Sequence, residues 1–138
     1  MDKILFAYFA VIISIIDLKT YRIPDSILTM YLLLKTCADI RVGDSFMQLE
    51  QCASGFIAFL IFYAVYRYAK GLGYGDVKYA AIIGYAVGMR FFFIGALIAS
   101  IMGIVSFIIG SRLLNWDIKR KLPFAPFLSF GAIAAFIF

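Results

Sequence analysis

Histidine is absent from the 138 residues, and only two cysteines, Cys37 and Cys52, are present. Without imidazole there is no HExxH zinc protease and no Ser-His or Cys-His nucleophilic pair. Two cysteines are too few for a four-cysteine zinc ribbon. Both fall near predicted helix ends on one side, where an oxidising compartment would let them pair; they are read instead as two unrelated small apolar side chains. Charge is scarce as well, with 15% Asp, Glu, Lys and Arg against 64% hydrophobic residues and a mean hydropathy of +0.98. A soluble domain carries about 45–50% apolar residues. The apolar runs recur along the whole chain, so the expectation is an integral membrane protein in a lipid bilayer. The net charge of +5 would suggest nucleic acid in a soluble protein; here the positive-inside rule accounts for it, and no nucleic-acid partner is expected.

Six apolar stretches are present, at 3–17, 26–40, 51–69, 77–89, 91–111 and 122–138. Crossing the hydrocarbon core takes about 20 residues, with about 17 as a lower limit. The first, second and fourth stretches are therefore short and must borrow flanking residues. The first has one lysine, the acidic Asp2 and no small-residue cleavage site, so it is read as a retained span rather than a signal. Residues 77–114 are nearly continuous, and a tight turn is expected at Arg90, the only charge between Lys78 and Arg112. The predicted fold is all-α, a compact bundle of six transmembrane helices forming a single domain over residues 1–138. Short loops make consecutive helices antiparallel neighbours.

Charge distribution orients the bundle. With the N-terminus outside, the inner loops carry Lys19, Arg22, Arg67, Lys70, Lys78, Arg112, Lys119, Arg120 and Lys121, nine of the thirteen basic residues. The outer side keeps Lys3, Lys35, Arg41 and Arg90, beside Asp2, Asp39, Asp44 and Glu50. Both termini are thus expected outside, with the loops around 18–25, 70–76 and 112–121 in the cytoplasm.

Two aspartates then fall at one depth. Asp17 ends the first stretch in "SIIDLKTYRIPD", and Asp76 starts the fourth in "GLGYGDVK", both at the cytoplasmic boundary. An Asp within a span costs roughly 2.5–3.5 kcal/mol on insertion scales, so such residues usually face the bundle interior. Two carboxylates at close range cannot both ionise easily, and a shared proton suits hydrolysis: one takes a proton from water while the other donates to a carbonyl oxygen. Gly71, Gly73 and Gly75 would let the chain adopt conformations closed to other residues and let a substrate backbone approach. The same residues have a plainer reading. Glycine followed by Asp is an ordinary helix N-cap, worth about 1 kcal/mol, and Asp17 could sit in the headgroup layer beside Lys19. Spacing and depth alone leave both readings open. Two further alternatives are a small transporter or proton-relay subunit and a non-catalytic assembly subunit.

Three stretches together resemble the type IV prepilin peptidases, the bacterial and archaeal members of the GxGD membrane aspartic peptidases. "DLKTYRIPD" resembles the family's first motif, an Asp followed by Ile-Pro; "GYGDVK" resembles its G-x-G-D-x-K motif; "LPFAPFLSFG" resembles the Pro-Phe-x-Pro segment opening its last helix. The resemblance covers nearly the whole chain. It implies an aspartic endopeptidase that removes the short basic leader from a prepilin, pseudopilin or preflagellin, just before the substrate's apolar helix. It also implies the cytoplasmic (inner) membrane, with the active site facing the cytoplasm, and neither metal nor cofactor. Asp17 and Asp76 would be the catalytic pair, with Gly73 and Gly75 shaping a mobile active-site loop. Lys78 matches the family's lysine, with two readings open: pairing with a carboxylate or, the one preferred, meeting lipid phosphates. Longer members carry a four-cysteine insert and N-methylate the new terminus. This chain resembles the short form found with Tad-type pili and as archaeal preflagellin peptidases, so methyltransferase activity is not expected.

Other residues carry structural expectations. Pro24 presets the start of the second helix. Asp25 either caps that helix or attracts the basic leader. Pro123 and Pro126 start the sixth helix and kink its first turn. Most aromatics should cover lipid-facing surface, with "RFFF" at 90–93 an interface anchor. "DIKRK" at 117–121 should be a topology signal, and the small residues at 95–103 should permit close helix packing, within the chain or in a dimer.

Overall fold

The computed structural model describes residues 2–43, 45–69, 72–113 and 123–137. Among these the regular elements are six α-helices and no strand: α1 (Asp2–Thr20), α2 (Asp25–Val42), α3 (Ser45–Ala69), α4 (Tyr74–Val87), α5 (Met89–Leu113) and α6 (Ala125–Ile137). The all-helical expectation holds. Ser45–Tyr68 and Met89–Arg112 are long and apolar enough to cross a membrane. At 14 and 13 residues, α4 and α6 fall short of the roughly 20 that a full crossing takes. Lys70, Gly71, Asp44 and the 117–121 run lie outside the described residues.

Local chemistry sets the helix boundaries. Pro24, at φ −71° and ψ 125°, is the residue before α2, where its fixed φ and missing N–H cost nothing. The helix stops at Gly43, whose φ of 74° and N–H bond to the Asp39 carbonyl (3.2 Å) make a left-handed C-cap. The turn between α4 and α5 is at Gly88 rather than Arg90, which lies in the first turn of α5. Gly88 adopts φ 80°, ψ 167°, a region that in practice only glycine occupies. A charge was the wrong signal for this break; the glycine two residues earlier was the right one.

Helices pack closest where side chains are smallest. A Cβ on Gly84 would stand 2.8 Å from Ala58 Cβ and 2.9 Å from the Ser54 carbonyl, so α4 lies almost backbone to backbone on α3. The α5–α6 pair meets at Gly95, Gly131 and Ala132, and a Cβ on Gly131 would overlap the Gly95 carbonyl oxygen. Of the small residues at 95–103 expected to permit close packing, Gly95 does so within the chain. Aromatic side chains fill the remaining core: Phe9 and Tyr31 at 5.2 Å between centroids, and Phe62 and Phe92 at 5.9 Å. Such pairs contribute about 0.5–1.5 kcal/mol each. Phe92 is thus a core residue, 2% exposed, and the "RFFF" anchor is corrected. Helical periodicity turns its middle phenylalanine inward while Phe93 stays exposed.

Lys35 and Asp39, assigned to an outer rim, form a buried pair on α2. Lys35 is 2% exposed, and its Nζ donates to Asp39 Oδ1 at 2.5 Å. The Tyr85 hydroxyl donates to Asp39 Oδ2 at 3.3 Å, binding α4 to α2. Cys37 and Cys52 are both free and exposed.

Candidate active site

The two helices that bear the aspartates end and begin at the same place. α1 stops three residues after Asp17, where Tyr21 turns into the left-handed region at φ 52° and gives its N–H to the Asp17 carbonyl at 2.8 Å. Among the described residues it is the one non-glycine with positive φ, a conformation costing an L-residue roughly 1–2 kcal/mol. The sharp reversal delivers Arg22, Ile23 and Pro24 directly to α2. Ile23 packs on the first turn of α4, where a Cβ on Gly75 would stand 3.4 Å from Ile23 Cβ.

Asp76 lies in that first turn. Its Oδ2 accepts the Gly73 N–H at 3.1 Å, while its own N–H donates to the Gly73 carbonyl at 3.1 Å. The plain helix-cap reading is therefore realised in the geometry. A Cβ on Gly73 would approach Asp76 Oδ2 to 3.2 Å. Neither Gly73 nor Gly75 is held to a special backbone angle: Gly73 has φ −80°, and the positive-φ glycines among the described residues are Gly43 and Gly88. That corrects the conformational argument made from the sequence for Gly73 and Gly75; Gly71 lies outside the described residues.

Asp17, Asp25, Gly73, Gly75, Asp76 and Lys78 line one cleft of about 310 Å³, together with Tyr21, Arg22, Ile23 and Tyr74. The two aspartates thus face the same space. Asp17 is 5% exposed, and its Oδ2 has no hydrogen-bond partner among the described residues. A buried carboxylate oxygen without a partner is costly, so its presence needs an explanation. The backbone N–H of Ala125, the first residue of α6, is set against the Asp17 carboxylate. Tyr79 follows Asp76 by one turn on the same face, and its hydroxyl pairs with Ser129 of α6 at 2.6 Å. That bond ties α4 to α6 one turn beyond Asp76.

Lys78 and Asp25 depart from the expectation. The Lys78 Nζ donates to Asp25 Oδ2 at 2.7 Å and lies 5.1 Å from the Tyr74 ring centre. A carboxylate, not lipid phosphate, is its partner, because the Tyr21 reversal brings the start of α2 against α4. Asp25 is the first residue of α2 and Pro24 takes the cap position, so Asp25 does not cap by its side chain. Sequence reasoning missed Ala125, Tyr79 and Ser129. The i+3 relation of Tyr79 to Asp76 and a lone hydroxyl in "PFLSFG" were signals available for the latter two.

Residues 4–108 match the family model described as the type IV leader peptidase family. Three relatives carry the name prepilin leader peptidase/N-methyltransferase. That of Bacillus subtilis (strain 168) is 30% identical over 98% of this chain and 54% of its own length. For Escherichia coli (strain K12) the figures are 30%, 94% and 60%, and for Pectobacterium carotovorum subsp. carotovorum 29%, 94% and 48%. The chain spans about half the length of the curated relatives it matches. No solved structure matches it.

Proposed function

Since the chain belongs to the type IV leader peptidase family, we propose that it is a membrane aspartic endopeptidase of the GxGD type that removes the leader of a prepilin-like protein. The observation that carries this reading is the cleft itself: two carboxylates, Asp17 from α1 and Asp76 from α4, face one open space, and one of their oxygens is buried without a partner among the described residues. A hydrolytic water and a peptide carbonyl are the partners such a pair lacks. One aspartate in its charged form takes a proton from water as the water oxygen attacks the carbonyl carbon. The other gives its proton to the carbonyl oxygen, and collapse of the tetrahedral intermediate returns a proton to the departing amine. The Ala125 N–H orients Asp17, and the Gly73 N–H orients Asp76. Capping and catalysis are compatible for Asp76, because the cap engages only one of its two oxygens.

The six helices act as spans of one domain over residues 1–138, with the aspartate end at the cytoplasmic side of the inner membrane and both termini outside. Supporting this is the apolar exterior of α5, where Leu97, Ile101, Ile104 and Ile108 are all about half exposed or more. The shorter helices reach across through their flanking residues and local thinning of the bilayer.

The test is cleavage of a candidate prepilin in membranes by wild type, Asp17→Asn and Asp76→Asn, each confirmed as inserted. Loss in both variants supports the pair mechanism. Cleavage that persists in Asp76→Asn would leave that residue a helix cap and end the two-carboxylate reading.

A further inference from the structure

α4 is too short to cross a bilayer unaided. Its 14 residues rise about 21 Å, against about 30 Å of hydrocarbon, while α3 and α5 beside it run 25 residues each. Asp76 occupies its first turn. Its last turn opens, at the other end of the bundle, on a second cavity of about 330 Å³. Lys35, Glu50, Gln51, Gly88, Arg90 and Phe136 are in the wall of that cavity. Lys35 is buried and already paired with Asp39. Glu50 and Arg90 are exposed, and among the described residues neither makes an ion pair or hydrogen bond, although they carry opposite charges into one space. The Glu50 carboxylate reaches the α4–α5 turn, for a Cβ on Gly88 would stand 4.0 Å from its Oε1. Beside it, the Oε1 of Gln51 is buried without a hydrogen-bond partner among the described residues. The first N–H bond of α5 runs from Phe92 to the Gly88 carbonyl at 3.0 Å. The N–H groups of Met89, Arg90 and Phe91 therefore have no partner within the helix. One cavity thus presents two unlike walls: donors and positive charge at the start of α5, acceptors and negative charge on α3.

We propose that this cavity binds a phosphodiester that carries a primary ammonium group, the headgroup chemistry of a zwitterionic phospholipid. The phosphate takes Arg90 and the opening N–H groups of α5, where the helix dipole adds to the guanidinium. The ammonium donates to Glu50 and Gln51, which are acceptors lacking a donor. A simple anion would satisfy the first wall and set its charge against Glu50. A quaternary ammonium would bring charge to Glu50 but no N–H to Gln51. Only a ligand with both charges and a donor N–H answers the two walls together. The volume lies at the low end of the roughly 300–1,000 Å³ typical of sites for small organic molecules. Depth favours a lipid as the source. Because α4 falls short of a full crossing, this charged wall meets the bilayer below the usual headgroup level, where an unpaired charge is costly; a headgroup drawn in removes that cost as the bilayer thins. Phe136 and Phe91, 5.9 Å apart between ring centres, supply apolar wall for the glycerol end. The site lies apart from the aspartate cleft and does not depend on the peptidase reading.

The experiment uses the full chain in detergent, titrated with phosphatidylethanolamine, phosphatidylcholine or phosphatidylglycerol of identical acyl chains, with bound lipid counted by native mass spectrometry. One phosphatidylethanolamine per chain should be retained about tenfold more tightly than either other lipid, as a charge-assisted hydrogen bond allows. Glu50→Gln and Arg90→Gln should each weaken that retention about tenfold and leave phosphatidylcholine unchanged. Equal unfolding temperatures of wild type and both variants in phosphatidylcholine would show that the folds are intact. If either variant unfolds early, the order of the three lipids on wild type decides by itself. Free phosphoethanolamine that displaces the lipid supports recognition of the headgroup alone. Failure to displace it, with dependence on Glu50 and Arg90 kept, supports the intact lipid as the ligand. Equal retention of all three lipids, or retention indifferent to both folded variants, makes the lipid an ordinary annular one and overturns the proposal. Preference for phosphatidylglycerol overturns it as well, in favour of a plain anion site at Arg90.

Discussion

Asp17 and Asp39 occupy equivalent places in successive helices. Each lies three residues before its helix ends, in α1 and α2, where the helix dipole disfavours a negative charge. Each carbonyl accepts the N–H of a left-handed residue four positions on, from Tyr21 at 2.8 Å and from Gly43 at 3.2 Å. Their surroundings then diverge. Asp39 is held by Lys35 and Tyr85, oxygen by oxygen. Asp17 keeps one buried oxygen without a partner among the described residues and shares an open cleft with a second carboxylate. One carboxylate is structural because the fold satisfies it; the other is a candidate for chemistry because the fold withholds a partner. The turn residues repeat the contrast, glycine where no strain is needed and tyrosine where strain persists beside a cleft.

The largest effect expected on this comparison is catalytic. Asp17→Asn or Asp76→Asn should lower the cleavage rate by about 10³-fold, equivalent to roughly 4 kcal/mol in the barrier, while Asp39→Asn should leave cleavage near wild type, all read in the membrane assay. Lys35→Met should do the reverse. It strands Asp39 beside Tyr85 and should cost about 3 kcal/mol of stability, measured by denaturant titration in detergent, with cleavage by the folded fraction retained. Tyr21→Gly should raise stability by about 1 kcal/mol by relieving the left-handed strain. Gly43→Ala should lower it by a similar amount, and equal responses at the two turns would erase the distinction drawn between them. Asp25→Asn removes an ion pair that is 64% exposed on its acidic side. Its cost in thermal unfolding should stay below about 1 kcal/mol, as for exposed pairs generally.

Much of the architecture was legible beforehand because apolar runs and helix breakers are local. Pro24 marks the start of α2, and the six runs correspond to the six helices. The turn at Gly88 was misread as Arg90 because loop charge was weighed above backbone freedom. At the site, the conformational reason given for Gly73 and Gly75 does not hold, and the tight approach to Gly73 comes from the Asp76 side chain, which no local pattern specifies. Lys78 was assigned to lipid because its partner, Asp25, is brought close only by the Tyr21 reversal. Phe92 was assigned to an interface, although its position on α5 turns it toward Phe62.

The sequence by itself determined an all-helical, strongly apolar chain with two aspartates at helix ends and no histidine for rival chemistries, because composition, periodicity and turn residues act within a few positions along the chain. Only the tertiary structure decided which carboxylate is satisfied and which is left open. Lys35 and Tyr85 reach Asp39, whereas Ala125, Tyr79 and Ser129 frame Asp17 and Asp76 without filling the space between them. Those outcomes depend on how closely Gly84 lets α4 approach α3 and Gly95 and Gly131 let α5 approach α6, distances fixed by packing between segments apart in the chain.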